Sequence, residues 1–357
     1  MTTPSGEAVP YPRLIVDLGA IRRNYARLQD MTAGAEVAAV VKADAYGLGA
    51  AAIAPVLLHA GAKSFFVANA HEGEIVRAAV GGGAQIFVLH GFWSADVQAI
   101  ARSALIPVIN SPEQLRDWLA GPAGPYALHF DTGMNRLGIP MIDVSGVADL
   151  AGKRQPDLVM SHFACADEPG HNLNATQIER FATVRGAFPG VRTSLANSAG
   201  CLLDTPAHGD LVRPGIALYG GAPRATGANP FESAATIETP ILQVRQARPG
   251  DSAGYGATWT TEADRRLAVV ALGYADGMFR AAQKGGYGRI GDVKLPIAGR
   301  VSMDLITLDV TDAGDSAKPG ESVRFLGPDL DTFAAASGTL AYEVLTRLGS
   351  RLERVYV

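Results

Sequence analysis

The sequence predicts an α/β chain: a (β/α)8, TIM-like barrel followed by a C-terminal, mainly β domain. Two observations predict it. Over the first two thirds, apolar strand-like runs alternate with alanine-rich amphipathic segments at intervals of roughly 25 residues, the rhythm of βα units. After about Phe231 that rhythm stops, and strand-like segments follow one another without long helices.

The apolar runs, in order, are "VAAVV" (37–41), "FFVA" (65–68), "IFVL" (86–89), "LIPVI" (105–109), "YALHF" (126–130), "LVMSHF" (158–163), "VRTSLA" (191–196) and a short one at Asp210–Val212. Segments such as "AAIAPVLLHAGA" and "ATQIERFATVRGAF" lie between them and read as helices. Eight such units favour a closed parallel barrel over an open sheet. The barrel is expected to span 12–230, with "GAPRATGANPF", dense in Gly and Pro, as the linker. Beyond it, "ILQVRQAR", "RLAVVALG", "LITLDV" and "SVRFL" read as strands of the β domain, 231–357.

Composition narrows the function classes. The 357 residues are 48% hydrophobic and 18% charged, with a net charge of -4 and no basic cluster, which argues against nucleic acid or an anionic membrane as partner. No apolar stretch reaches the roughly 18 residues needed to span a bilayer. The N-terminal stretch lacks the basic and apolar regions of a signal peptide. The two cysteines, Cys165 and Cys201, suit a reducing cytoplasm and make no disulfide framework.

Barrel enzymes gather their chemistry at the C-terminal ends of the strands. Lys42 follows the first expected strand, Arg136 lies in the loop after the fifth, and His162 stands near the end of the sixth. Asn197 and Ser198 follow the seventh, and Arg213, Gly215 and Ile216 follow the eighth. Taken singly, each has a bland reading as a surface charge, a turn or a satisfied core residue. Their joint placement at one barrel end is the signal.

Loops after the seventh and eighth strands are frequent phosphate sites in barrels. Here "NSAG" (197–200) offers a hydroxyl, and "RPGIALYG" (213–220) a glycine beside backbone N–H groups. A lysine opposite a phosphate cradle points to pyridoxal 5'-phosphate (PLP), because the amine forms a Schiff base with the cofactor aldehyde. The run "GGYGRIG" (285–291) is a weak imitation of a dinucleotide loop and reads as a turn. No metal site is expected.

The segments "AVVKADAYGLG", "DTGMNRLG", "SHFACADE", "ANSAG", "VRPGIALYGG", "GYGATW", "ALGYADG", "AGRVSMDL" and "AYEVLTRLGSRLERVY" resemble, in order, those of the alanine racemases, PLP enzymes of fold type III. The resemblance implies a β domain that also takes in residues 1–11, and a homodimer with two active sites shared at its interface. It implies interconversion of L- and D-alanine, supplying or consuming D-alanine, a peptidoglycan precursor. Lys42 would be the Schiff-base lysine and one base; Tyr255, from the other subunit, would be the opposing base. Arg213 would face the pyridine nitrogen, with His162 linking it to the tyrosine. Tyr46, Asn197, Ser198, Gly215, Ile216 and Tyr342 would hold the cofactor. Arg136, Tyr255, Tyr274, Met303 and Asp304 would meet the substrate.

Two bases flanking a planar carbon are what inversion of a Cα centre requires, with PLP spreading the carbanion charge. Tyrosine is a demanding base: forming a phenolate at neutral pH costs about 4 kcal/mol, which nearby cations reduce. The chain departs from the common family pattern at Leu48, where histidine is frequent, at Asn135, where glycine is, and at Ser302, where cysteine is. His129 stands where many relatives carry a carbamylated lysine beside the equivalent of Arg136. Histidine cannot provide that anion, so a bound anion or a neighbouring side chain is expected to hold Arg136.

Two rival readings use the same residues. A PLP carrier without catalysis needs only the lysine-bearing barrel, and Tyr255 argues against it. A cofactor-independent racemase would use Cys165 and Cys201 as a thiol pair, although buried structural cysteines are the commoner case.

Overall fold

The computed structural model describes residues 11–32, 34–121, 124–203 and 208–357, which form two compact units. One is a barrel, Ile21–Phe231; the other joins residues 11–20 to Glu232–Val357. Residues 1–10, expected in the β domain, lie outside the described residues.

The first strand, β1 (Arg13–Val16), belongs to the β unit. Barrel strands follow: β2 (Glu36–Val37), β3 (Ala39–Val40), β4 (Ser64–Val67), β5 (Gln85–Val88), β6 (Ile106–Ile109), β7 (Ala127–Asp131), the short β8 (Ile139–Pro140), β9 (Leu158–Met160), β10 (Arg192–Ser194) and β11 (Leu211–Val212). Seven of them pair in parallel in the order β10-β9-β7-β6-β5-β4-β3. The ends close through β11, which pairs with β2 in parallel, while the residues flanking it donate to the β10 side, Asp210 N→Thr193 O and Arg213 N→Ala196 O. The run 37–41 is thus two short strands interrupted at Ala38, whose N–H turns to Val212 O.

Every residue of β4 and β6 is buried, as expected of parallel strands covered on both faces. Phe66 and Phe87 stack at 4.7 Å inside the barrel. Local signals set the helices outside it. Asn69 caps the helix Ala70–Val80 by accepting from Glu72 N, and Ser111 caps Pro112–Ala120 by accepting from Gln114 N.

In the β unit, the long β12 (Ala235–Ala247) pairs antiparallel with β1 and is followed by β13 (Ser252–Ala253), β14 (Trp259–Thr260), β15 (Arg265–Val270), β16 (Tyr287–Ile290), β17 (Val293–Pro296), β18 (Ile306–Asp309), β19 (Ser322–Leu326) and β20 (Glu353–Tyr356). Chain start and chain end meet here, since β1 also pairs in parallel with β20. This moves the unit boundary from residue 12 to Ala20: Leu14 and Val16 are fully buried in the β unit. The segment "GGYGRIG" is mostly strand β16, paired with β17 through a turn at Gly291, and not simply a turn. Gly288 is small there because a Cβ would stand 2.5 Å from Val323 Cγ1.

Candidate active site

Directly after β3 the chain does something its sequence does not announce. Ala43, Asp44, Ala45 and Tyr46 all have positive φ, between 52° and 58°, so Lys42 opens one turn of left-handed helix. Each L-residue there costs on the order of 1–2 kcal/mol, so the turn must be held from outside. Gly47 N→Ala43 O (2.8 Å) and Gly49 N→Asp44 O (2.9 Å) close it, and Asp44 Oδ1 accepts from Ala50 N at 2.7 Å. Glu72 anchors its start, accepting from Ala43 N at 3.0 Å and Ala68 N at 2.8 Å. The turn carries Lys42 and Tyr46 to the barrel's C-terminal end.

Burial, first, and then the positive charge of Arg136 push the Lys42 amine below its ordinary pKa; Glu72 opposes this and Arg213 adds to it. The net effect favours the neutral, nucleophilic amine.

Arg213 lies buried under the strand ends. It donates to Ser194 Oγ and Ser161 O, reaches His162 Nδ1 at 3.3 Å, and stands 5.9 Å over the Phe66 ring. Arginine only donates, so His162 Nδ1 faces a donor, while Nε2 faces Asn197 Nδ2 at 3.4 Å. Burial, with Arg213 as the next cause, holds His162 well below its ordinary pKa, so the link between them is cation to neutral ring. Burial also lowers the Arg213 guanidinium.

The Gly215 region is made of donors. Ser198 Oγ accepts from Gly215 N at 2.8 Å and Ala217 N at 3.3 Å, which leaves its own proton to donate outward. Ile216 N–H has no acceptor among the described residues. Gly215 is required for contact: a Cβ there would lie 2.1 Å from Tyr46 Oη. Tyr46 in turn packs on Tyr219 at 4.9 Å between ring centres. Asn197 shapes the neighbouring loop, accepting from Gly200 N at 2.9 Å and reaching Phe163 O at 3.4 Å.

Arg136 is exposed and makes no hydrogen bond or ion pair among the described residues, so the neighbouring side chain expected to hold it is not found there. His129 offers no anion: burial pushes it down to about 3, and its Nδ1 bonds Asn110 Oδ1 at 2.8 Å. Asn135 stands at φ 55°, a left-handed position that glycine or asparagine fills most easily, and Leu48 is fully buried.

The remaining candidates belong to the β unit. Tyr255 sits at the tip of the β13–β14 hairpin, 71% exposed, in a turn with Gly254 and Gly256 both at positive φ. Tyr274 and Met303 lie on adjoining loops joined by Tyr274 N→Ser302 O and Ala275 N→Met303 O, both 3.0 Å. That approach needs Gly273, whose Cβ would stand 2.1 Å from Met303 O. Asp304 follows on the same loop, and Tyr342 is half-exposed on the helix Ala341–Thr346.

Comparison with known proteins matches residues 16–223 to the family model "Alanine racemase, N-terminal domain" and 234–356 to "Alanine racemase, C-terminal domain". The chain belongs to the alanine racemase family. It is 45% identical to the alanine racemase of Methylobacterium nodulans, over 97% of this chain and 96% of that one. Identity is 43% to the biosynthetic alanine racemase of Agrobacterium fabrum, covering 97% and 93% of the two chains. It is 42% to the catabolic one, covering 96% and 92%. Among solved structures, the alanine racemase of Bartonella henselae with covalently bound pyridoxal phosphate superposes with a TM-score of 0.91 at 34% identity, covering 98% of this chain and all (100%) of that one.

Several supporting residues escaped the reading of the sequence. Gln177, fully buried, accepts from Ala164 N (2.9 Å) and donates to His162 O (2.9 Å) and Thr132 Oγ1 (3.1 Å). It thereby ties the loop bearing His162 to the one bearing Arg136. The thiol-pair reading loses ground here: burial pushes Cys201 up to about 12, and burial with Asp167 and Glu168 raises Cys165.

Proposed function

We propose that this protein interconverts L- and D-alanine with PLP, with Lys42 and Tyr255 as the bases on opposite faces of the substrate Cα. Family membership supports the reaction, and the covalently bound cofactor of the Bartonella henselae relative supports PLP. The observation that carries the reading is Lys42, a primary amine at a barrel strand end, shifted toward neutrality by burial and two arginines, beside an all-donor cradle.

The residues fit the cofactor. Ser198 Oγ–H and the Ile216 N–H would hold the phosphate dianion, with Gly215 and Tyr46 shaping the wall and Asn197 the adjoining loop. Tyr342 would join them. When bound, PLP delocalises the electron pair left on Cα after deprotonation. Lys42 Nζ takes or returns the proton on one face, and Tyr255 Oη does so on the other. Arg213, a donor-only side chain, would face the ring nitrogen and would disfavour its protonation. Arg136 and the Met303 N–H orient the substrate carboxylate, with Tyr274 and Asp304 bordering it.

A second copy of the chain supplies Tyr255 and Met303 in this reading. The exposure of Tyr255 (71%), Met303 (53%) and Tyr274 (45%) on the β unit suits an interface. Among the described residues no helix is long and apolar enough to cross a membrane. The low cysteine content suits a reducing compartment, and on that ground we propose the cytoplasm.

The test is direct. Purified protein with PLP should convert L-alanine to a racemate, followed by circular dichroism, and Lys42→Ala should abolish the conversion. Bound cofactor without any D-alanine formed would favour the carrier reading instead.

A further inference from the structure

Asp276 is a fully buried carboxylate in the β unit, following Tyr274 on the same short turn. Its Oδ2 accepts from Gly273 N at 2.8 Å, but its Oδ1 accepts no hydrogen bond among the described residues. What answers that oxygen is the charge of Arg351, whose Nε lies 3.0 Å away. The same guanidinium donates through Nη1 to Asp304 Oδ1 at 2.7 Å. Arg351 itself is half-exposed, so it covers the carboxylate from the surface.

Three loops therefore meet at one side chain. One carries Gly273–Gly277 with Tyr274; one carries Ser302–Leu305 with Met303 and Asp304; the third carries Arg351 and adds Gly349 N→Asp276 O at 2.9 Å. Among the described residues the Tyr274 and Met303 loops are joined by Tyr274 N→Ser302 O and Ala275 N→Met303 O, and they approach closely at Gly273, where a Cβ would collide with Met303 O. A buried carboxylate without its cation would be under pressure to leave, taking its loop with it.

We propose that Arg351 is a positioning residue, clamping the Tyr274 loop to the Met303 loop so that Met303 N–H and Tyr274 are presented to the substrate together. This rests on the reading that these loops meet the substrate. Arginine suits the task where lysine does not, because its planar fork serves two carboxylates on different loops at once.

The experiment uses PLP-loaded enzyme carrying Arg351→Met or Arg351→Lys and reads two things. The first is amide hydrogen exchange at Tyr274 and Ala275, the donors that bridge the loops. The second is the division of the activity change between KM for alanine and kcat. Arg351→Met should speed exchange at both amides and raise KM roughly tenfold, about the worth of one hydrogen bond to a charged group, with kcat much less affected. Arg351→Lys should fall between parent and Arg351→Met in both. Unchanged exchange at Tyr274 and Ala275 overturns the clamp, as does faster exchange spread equally through β12. Faster local exchange with an unchanged KM upholds the clamp and counts against Met303 as a substrate contact.

Discussion

Arg213 Nη2 lies 3.3 Å from His162 Nδ1, and its hydrogen-bonding partners are hydroxyl oxygen, carbonyl oxygen and this imidazole nitrogen, with no carboxylate among the described residues. A buried guanidinium so placed keeps its positive charge available to whatever it faces. Facing a pyridine nitrogen, as proposed, it would make the ring a weaker electron sink, because each unit of pKa depression costs the protonated ring about 1.4 kcal/mol.

Arg213→Glu should reverse that, since a carboxylate accepts a hydrogen bond from a protonated ring nitrogen and favours that form. Racemase turnover should fall by at least about tenfold, and a long-wavelength absorption band should appear under saturating alanine. The share of turnovers ending in pyruvate and pyridoxamine phosphate should rise. A variant that keeps its cofactor yet matches the parent in both absorbance and pyruvate per racemisation would show that Arg213 does not govern the ring nitrogen.

Tyr255, at an exposed hairpin tip, is expected to act in the partner's site. Lys42→Ala and Tyr255→Ala chains, each inactive, should regain about one quarter of parental activity when mixed in equal amounts. Half the dimers are then mixed, and each mixed dimer has one intact site. If mixed dimers form and no activity returns, each site is built from a single chain.

Gly215→Ala puts a methyl 2.1 Å from where Tyr46 Oη now sits. The ring must move, and PLP affinity should weaken on the order of tenfold, read by titrating cofactor into apoenzyme. Adding Tyr46→Phe removes the clashing oxygen and should recover part of the loss. Equal affinity in parent and Gly215→Ala would separate this glycine from the cofactor.

Gln177→Leu deletes three hydrogen bonds, one buried and two part-buried, and leaves Ala164 N and His162 O without that partner. Stability should drop by roughly 2–4 kcal/mol in chemical denaturation, and turnover should fall in the fraction that remains folded. Gln177→Glu keeps the acceptor for Ala164 N but loses both donors, and should still be clearly destabilised.

Much of the barrel site was legible because its residues follow strands. Lys42, His162, Asn197 and Arg213 each come just after or near the end of an apolar run, and the run marks the strand. The structure added what no local pattern carries. Gln177 sits inside a helix, Asn110 and Glu72 in or beside others, and they reach the site only through tertiary packing. The left-handed turn after Lys42 escaped notice because its four residues include no glycine; only Gly47 and Gly49 beyond it hinted at positive φ. At four residues, β1 was too short to separate from the barrel, and its partners lie more than 200 positions away in the chain. His129 was read as unable to replace an anion, and its neutral ring, turned to Asn110, has that property.

The central claim is that Lys42 carries the cofactor. Purified holoenzyme should be reduced with borohydride, digested, and its peptides mapped for the pyridoxyl group. The label should fall on Lys42, with activity lost in proportion to labelling. A label on Lys153 or Lys294, with Lys42 unmodified, would contradict it.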